Sequence, residues 1–158
     1  MSRISFPLCS IIYYFFQTHP WQIKNNRVLI TRRKTDGLLG GLWEFPGGKI
    51  QKNEKAAAAC IREIKEEVNL TVKVDSHLCR VKHAYTHFKI QMDVFCCAYV
   101  SGRLKLNGPV DHRWIELAQL DDYPLPKANH KFLPQLRQYC EDGRRKPEDG
   151  NDGGAGKM

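Results

Sequence analysis

The sequence predicts an α+β fold, an α/β/α sandwich in which helices flank a mixed β-sheet. Residues 54–68 are strong helix formers and include four consecutive alanines. Residues 88–100 alternate between two sets of side chains, which is typical of one long strand. A second amphipathic helix near the end of the chain is indicated by Phe132, Leu133, Leu136 and Tyr139. We expect the two helices to cover opposite sides of the sheet.

The length of 158 residues fits one domain with a sizeable core and leaves no room for a second. We expect this domain to span residues 1–140 and the glycine-rich, charged residues 141–158 to form a disordered tail. The formal net charge is +8, and the tail carries four basic and five acidic residues, so the positive excess belongs to the domain. Such a domain attracts polyanions such as nucleoside triphosphates, although scattered lysines that serve solubility explain the charge equally well. No compact run of Lys and Arg argues for stable binding of duplex DNA.

The first apolar segment, residues 4–16, is predicted to be a buried strand. It is too short to span a bilayer and has no small-residue cleavage site, so a signal or membrane anchor is the weaker interpretation. The six cysteines contain no C-x-x-C pair. We interpret them as small core residues in a reducing compartment, which favours a cytoplasmic protein without membrane contact.

Turn residues and β-branched residues predict the elements that precede the first helix. Residues 24–26 are a candidate turn, and residues 28–32 would be the second strand of a hairpin. A glycine-bearing loop at 34–41 leads into a short strand at 42–45, and Pro-Gly-Gly at 46–48 predicts a sharp turn. After the helix, strands are predicted at residues 71–74, 78–83 and 112–115. The long strand at 88–100 is expected to have one apolar face.

The helix of residues 54–68 is predicted to have one apolar and one acidic face. Asn53 stands at a suitable N-cap position. The apolar stripe would consist of Ala57, Ile61, Ile64 and Val68. The spacing of Glu63, Glu66 and Glu67, at i, i+3 and i+4, places the three carboxylates together on another face.

Three neighbouring carboxylates repel one another, and a bound cation reverses the sign of that energy. Hard oxygen ligands suit Mg²⁺ or Mn²⁺, and proteins usually hold Mg²⁺ with a few carboxylates plus the phosphates of a substrate. The triplet therefore indicates a divalent cation and a phosphate-bearing substrate. The alternative is an ordinary solvated face, which is the usual meaning of charge on a helix.

The pattern around this triplet resembles the Nudix box. It consists of Gly48, five residues, Glu54, seven residues, Arg62-Glu63-Ile64, one residue, Glu66-Glu67, one residue, and Asn69-Leu70. Asn69 stands where the family has glycine, at a position just past the helix where Asn is the next best residue for a left-handed conformation. The flanking residues 41–50 (GLWEFPGGKI) resemble MutT-type 8-oxo-dGTP diphosphatases and the Nudix-like C-terminal domain of MutY-type adenine glycosylases.

The resemblance implies a Nudix fold and a Mg²⁺- or Mn²⁺-dependent hydrolase that converts a nucleoside triphosphate to a monophosphate and pyrophosphate. It implies that the metal ligands are Glu63, Glu66, Glu67 and the Gly47 carbonyl. One of these carboxylates would also act as the base. Arg62 would hold a neighbouring carboxylate by a bidentate contact, which fixes the rotamer of that carboxylate.

The same resemblance assigns four residues to the substrate. Arg33 would contact a phosphate or the base, Phe45 would pack against the purine, and Asn129 would read the oxidised guanine with its amide. Lys49 is placed with them. Phe45 could instead be a core residue, and Asn129 could be a helix cap.

One position departs from the MutT-like pattern. Those enzymes use an acidic residue in the loop before the last strand, and counting back from Trp114 places Gly108 there. Asp111 could substitute for the missing carboxylate, or it could be an ordinary loop aspartate.

Three functions remain compatible with these motifs. The leading one is hydrolysis of 8-oxo-dGTP by a monomer. A second is a non-catalytic module that recognises 8-oxoguanine, as glycosylase-linked Nudix domains do; those domains commonly have eroded boxes, whereas all three glutamates are present here and no glycosylase domain precedes them. A third is hydrolysis of another nucleotide, such as a modified pyrimidine triphosphate, because the box specifies the cleaved bond and not the base.

Overall fold

Two β-sheets and three α-helices make up the part of the chain that the computed structural model describes, residues 8–17 and 27–144. The strands are β1 (Leu8–Gln17), β2 (Arg27–Arg32), β3 (Trp43–Glu44), β4 (Gly47–Lys49), β5 (Thr71–Ala84), β6 (Lys89–Ser101) and β7 (Asp111–Glu116). The helices are α1 (Ala56–Val68), α2 (Lys127–His130) and α3 (Leu133–Arg144), with a 3₁₀ turn at Leu117–Asp122. The predicted α+β class is confirmed.

The four-stranded sheet has the order β4-β1-β6-β5, and the three-stranded sheet has the order β3-β2-β7. The first sheet is mixed, because β1 runs parallel to β6 and antiparallel to β4. The predicted strand in the N-terminal apolar segment is therefore confirmed over Leu8–Gln17. The described strands β1 and β2 lie in different sheets. The predicted hairpin stays a prediction, because its candidate turn at 24–26 and the residues just before it lie outside the described residues.

Strand β6 is buried on both faces, whereas one apolar face was predicted. Met92, Val94 and Cys96 belong to the core that contains the apolar face of α3. Phe95 and Cys97 point the other way, into the core that contains α1. The two helices thus cover opposite sides of this sheet, as the sandwich prediction required. The second face was missed because a cysteine in alternation is easily counted as polar, although it packs as a small apolar residue.

Helix α1 begins at Ala56 with Lys55 as its N-cap, so the predicted cap at Asn53 is wrong. Asn53 has a φ of +64° and lies in the preceding turn, where the Glu54 N–H donates to the Gln51 carbonyl at 3.1 Å. The buried face of the helix consists of Ala59, Cys60, Ile64 and Val68. Ala57 and Ile61 of the predicted stripe are exposed, because the face continues at steps of four residues through Cys60.

The end of α1 agrees with the prediction for Asn69. This residue has a φ of +60° and its N–H donates to the Lys65 carbonyl at 3.1 Å. Its side-chain amide donates to the Arg103 carbonyl at 3.0 Å, a bond that glycine could not make. Pro46 of the predicted turn lies at a bend, whereas Gly47 and Gly48 belong to strand β4, which pairs with β1 through Ile12 and Gly48.

Helix α3 continues to Arg144, four residues beyond the predicted end of the domain. The remainder of the predicted tail lies outside the described residues. No helix within residues 8–17 and 27–144 is both long and apolar enough to cross a membrane.

Candidate active site

A pocket of about 570 Å³ lies where α1 faces strand β4. Glu63, Glu66 and Glu67 of α1 line it, together with residues 47–49. Glu44 of β3, the 33–37 segment and the loop at 107–109 complete the wall. The three glutamates reach one pocket because positions i, i+3 and i+4 share a helix face. The predicted acidic cluster is therefore brought together by the fold.

Gly48 lies directly against Glu63. A Cβ atom at this position would overlap the Glu63 carboxyl group, so a larger residue would require the Glu63 side chain to move. The neighbouring Gly47 N–H donates to Glu67 Oε2 at 2.9 Å. Together these two glycines let the backbone of β4 reach the carboxylates of α1.

Arg62 organises the carboxylates on one side of the pocket. Its Nε and Nη2 donate to the two oxygens of Glu54 at 2.7 and 2.9 Å, which is the bidentate contact predicted for this residue. Its Nη1 donates to Glu63 Oε1 at 2.7 Å and to Glu66 Oε2 at 3.1 Å, and Nη2 donates to the Lys49 carbonyl at 3.0 Å. Hydrogen bonds from Arg62 lower the pKa of Glu54 to about 2. Glu54 thus remains charged and holds Arg62 in place.

Glu44 is one of the pocket residues that sequence reasoning missed. Its side chain is 11% exposed, and both of its oxygens accept from Arg33 Nη1, at 3.1 and 3.0 Å. The signal in the sequence was an acidic residue between two large aromatic residues, Trp43 and Phe45. That signal is weak without the structure, because only the approach of β3 to α1 shows where the carboxylate lies.

Glu67 is the carboxylate whose charge is least favoured. Burial, followed by the charge of Glu44, raises its pKa to about 8, against the opposing effect of the Gly47 N–H. A divalent cation would offset each unfavourable contribution, because it attracts all of the carboxylates that repel one another. Oxygen-rich walls of this kind suit Mg²⁺ or Mn²⁺. The residues present therefore fit a divalent cation.

The side chains of the predicted metal ligands do not converge on a single point. In the described ranges no three His, Cys, Asp or Glu side chains converge closely enough to hold an ion by themselves. The hydrogen bonds explain this, since Arg62 holds one oxygen each of Glu63 and Glu66 while Glu67 turns to Gly47. A cation that enters the pocket must compete with these bonds.

The predicted substrate residues fall into two groups. Arg33 and Lys49 line the pocket. Phe45 and Asn129 are instead buried, at 1% and 0% exposure, and Phe45 packs on Phe132 with ring centroids 5.4 Å apart. Both amide atoms of Asn129 are buried without a hydrogen-bond partner among the described residues. Pro126 is the N-cap of α2, so Asn129 does not cap that helix.

The loop before β7 is fastened to the end of α1. The Asn107 N–H donates to the Glu67 carbonyl at 2.8 Å, and its side-chain amide donates to the Glu66 carbonyl at 3.2 Å. Gly108 lines the pocket with a φ of +114°, and open space surrounds the position of a Cβ. Asp111 is wrong as a substitute carboxylate: it is not among the pocket-lining residues and accepts from the His112 N–H and from Arg113.

The chain is similar to known proteins over most of its length. The NUDIX domain family model matches residues 21–135. An 8-oxo-dGTP diphosphatase of Buchnera aphidicola subsp. Schizaphis graminum is 30% identical over 116 residues, which are 73% of this chain and 88% of that protein. A CTP pyrophosphohydrolase of Escherichia coli K12 is 23% identical over 126 residues, 80% of this chain and 91% of that protein. The crystal structure of a MutT protein from Methanosarcina mazei Go1 has the same fold, with a TM-score of 0.74 at 22% identity, covering 91% of this chain and 100% of that chain.

Proposed function

Because the chain belongs to the Nudix family, we propose that it is a nucleoside triphosphate pyrophosphohydrolase that converts 8-oxo-dGTP to 8-oxo-dGMP and pyrophosphate. The observation that carries this proposal is the pocket in which Glu63, Glu66 and Glu67 face Arg33 and Lys49. Acidic groups for a cation and basic groups for phosphates are the two requirements of phosphate-chain hydrolysis. The name of the Buchnera relative supports the choice of substrate.

The family uses a divalent cation, and we propose Mg²⁺ or Mn²⁺ for this chain. Glu63, Glu66, Glu67 and the Gly47 carbonyl would hold it. When bound, the cation supplies charge neutralisation for the phosphate chain and lowers the pKa of water.

The chain's own residues do the remaining work of positioning. Arg33 and Lys49 bind the phosphate oxygens, and Arg62 fixes the orientation of Glu63 and Glu66 through its hydrogen bonds. A pocket carboxylate takes the proton of the attacking water. The water oxygen forms a bond to one phosphorus of the α–β anhydride, the bond from the bridging oxygen to that phosphorus breaks, and the products are 8-oxo-dGMP and pyrophosphate.

The proposed base subsite is the region of Phe45 and Asn129. The side-chain amide of Asn129 is buried without a hydrogen-bond partner among the described residues. Such amides are rare in proteins and usually have a functional or structural cause. A purine edge provides one, because the amide donates and accepts at the same time. Phe45 supplies an apolar neighbour for the ring, and the surrounding side chains must open for the base to enter.

The test is a pyrophosphate-release assay over normal and oxidised nucleotides, with and without Mg²⁺. We expect release from 8-oxo-dGTP that requires the cation and is abolished in Glu67→Gln. Asn129→Ala should retain turnover but lose the preference for the oxidised base. Equal rates for dGTP and 8-oxo-dGTP in the wild type would contradict the proposed substrate.

Two other functions are separated by the same assay. The E. coli relative is a CTP pyrophosphohydrolase, which favours a pyrimidine nucleotide as the second candidate substrate. Preferential release from CTP or a modified pyrimidine triphosphate would establish it. If the protein releases pyrophosphate from none of these nucleotides yet binds DNA that contains 8-oxoguanine, the non-catalytic module is the correct function.

The proposal also covers the compartment, the oligomeric state and the DNA binding of the protein. We propose a cytoplasmic monomer that does not bind duplex DNA stably. The free thiols of Cys60, Cys79, Cys96 and Cys97 support a reducing compartment. Sedimentation analysis would test the monomer.

A further inference from the structure

Glu44 lines the same pocket as the three glutamates of α1. It lies on β3, and its side chain is more buried than those of Glu63 and Glu66, at 11% exposure against 19% and 57%. Because Glu44 and Glu67 share this pocket, their negative charges repel each other. No part of the Nudix box contains Glu44, since the box begins at Gly48.

A buried carboxylate beside others of the same sign is costly. A single guanidinium nitrogen, Arg33 Nη1, donates to both oxygens of Glu44, and the Arg33 side chain is 34% exposed. A neutral side chain of similar size would avoid the repulsion with Glu67 and the desolvation of a charge. The arrangement becomes favourable when a cation adds positive charge to the pocket.

Arg33 lines the same pocket as Lys49 and the glutamates. As long as its Nη1 donates to Glu44, the N–H groups of that nitrogen are directed at a carboxylate and not at a phosphate. A cation near Glu44 and a phosphate near Arg33 would satisfy both groups at once.

We propose that Glu44 is a fourth carboxylate of the cation site, and that its ion pair with Arg33 exchanges when cation and substrate bind. Glu44 then contributes its negative charge to cation binding, and Arg33 turns to the phosphate chain. This inference rests on the proposed function, because it assigns a further residue to the same site. The alternative role for Glu44 is that of a simple anchor for Arg33.

The two roles of Glu44, as a cation ligand or as an anchor for Arg33, predict different Mn²⁺ affinities in the absence of nucleotide. If Glu44 contributes to the site, Glu44→Gln weakens Mn²⁺ binding. The expected loss of affinity is at least about tenfold, as for substitutions of other residues that surround metal sites. Arg33→Gln then strengthens Mn²⁺ binding, because it removes a competing positive charge. If Glu44 only anchors Arg33, Glu44→Gln has no effect on Mn²⁺ affinity in the Arg33→Gln background, whereas a ligand role predicts that the loss persists there.

The experiment is calorimetric titration of Mn²⁺ into the full chain, with free Mn²⁺ counted by electron paramagnetic resonance. The proteins are wild type, Glu44→Gln, Arg33→Gln and the double variant. Asp121→Asn is the matched control, since Asp121 is an exposed carboxylate that pairs with Arg137. Thermal unfolding checks that each variant folds. Should Glu44→Gln fail to fold, Glu44→Asp takes its place: it keeps the charge but shortens the side chain, and a ligand role predicts weaker Mn²⁺ binding.

A second titration tests whether Arg33 binds the phosphate chain. Inorganic pyrophosphate is titrated into the Mn²⁺-loaded proteins, and Arg33→Gln should bind it about tenfold more weakly than wild type. Unchanged Mn²⁺ affinity in Glu44→Gln, or a parallel loss in Arg33→Gln, would overturn the inference alone. A wild-type protein that binds no Mn²⁺ would overturn the proposed function and the inference together.

Discussion

Gly48 packs directly against the side chain of Glu63 on helix α1. A Cβ at this position would overlap the Glu63 carboxyl group in its present rotamer. The glycine at the start of the box therefore has a steric reason, because a larger residue would move this carboxylate.

Gly48→Ala tests this steric role. The added methyl group must displace the Glu63 carboxyl, and a displacement of about 1 Å at such a site can cost about 100-fold in rate. Pyrophosphate release measured at saturating Mg²⁺ should fall by that order. Gly37→Ala, in the same pocket but with open space around its Cβ, should change the rate little. Equal effects of the two substitutions would contradict the steric explanation.

Glu67 links the site to the stability of the protein. Its pKa of about 8 in the folded state lies above the ordinary value of 4.5, so folding favours the neutral form. This contribution to stability is complete below pH 4.5 and is lost as the pH rises through 8. Without cation, the melting temperature of the wild type should therefore fall between pH 6 and pH 9 relative to that of Glu67→Gln.

The measurement is thermal unfolding of both proteins in EDTA and in excess Mn²⁺. Mn²⁺ should restore the melting temperature of the wild type at pH 9 and leave Glu67→Gln nearly unchanged, because a bound cation stabilises the folded state by mass action. Parallel curves for the two proteins at every pH would show that Glu67 has no raised pKa.

For Asn129, one substitution is predicted to keep or raise stability and to abolish the base preference. Replacing it with Leu, which has a similar volume, removes two buried polar atoms that lack partners. Such atoms cost about 1–3 kcal/mol, so Asn129→Leu should match or exceed the wild type in urea unfolding. The same variant should lose its preference for 8-oxo-dGTP over dGTP. A strongly destabilised variant that keeps the preference would mean that the amide has a structural partner.

Side chains on one helix can be predicted to act together, whereas partners across the fold cannot. The i, i+3, i+4 spacing places Glu63, Glu66 and Glu67 on one face whatever surrounds them. Glu44 gave no comparable signal, because its meaning depends on the approach of β3 to α1. Arg62 was expected to hold a carboxylate, but only the structure identifies Glu54 as its bidentate partner.

The ends of helices depend on nearby residues, whereas the pairing of strands depends on distant ones. The left-handed end of α1 at Asn69 follows from local sterics and was predicted. The start of α1 was misplaced, because Asn53 serves an equally local purpose in the turn before the helix. The parallel partner of β1 is β6, about eighty residues away, and no local turn signal identifies such a partner.

The cap at Asn69 can be tested with two substitutions. Asn69→Ala places a Cβ-bearing residue without a compensating side-chain bond at a φ of +60°, and should destabilise the fold by about 1–2 kcal/mol. Asn69→Gly loses the bond to the Arg103 carbonyl but relieves the backbone, so it should be the milder change. Urea unfolding compares the two. Alanine that is tolerated better than glycine would contradict the left-handed cap.

At the scale of the whole molecule, the four-stranded sheet carries a core on each side. Helix α1 contributes Cys60, Ile64 and Val68 to one core, and α3 contributes Leu133 and Leu136 to the other. Rigid support on one side fixes the acidic face of α1 over strand β4. Phe45 and Ala128, the chain neighbour of Asn129, belong to the core on the side of α3.

The central claim is that the carboxylates of α1, with a divalent cation, cleave a nucleoside triphosphate to a monophosphate and pyrophosphate. The most direct measurement is phosphorus NMR of 8-oxo-dGTP mixed with the metal-stripped protein, recorded before and after addition of Mg²⁺. We expect no reaction before the addition, and monophosphate and pyrophosphate signals in equal amounts after it. Inorganic phosphate with a nucleoside diphosphate, turnover in the absence of Mg²⁺, or an unchanged spectrum after its addition would contradict the claim.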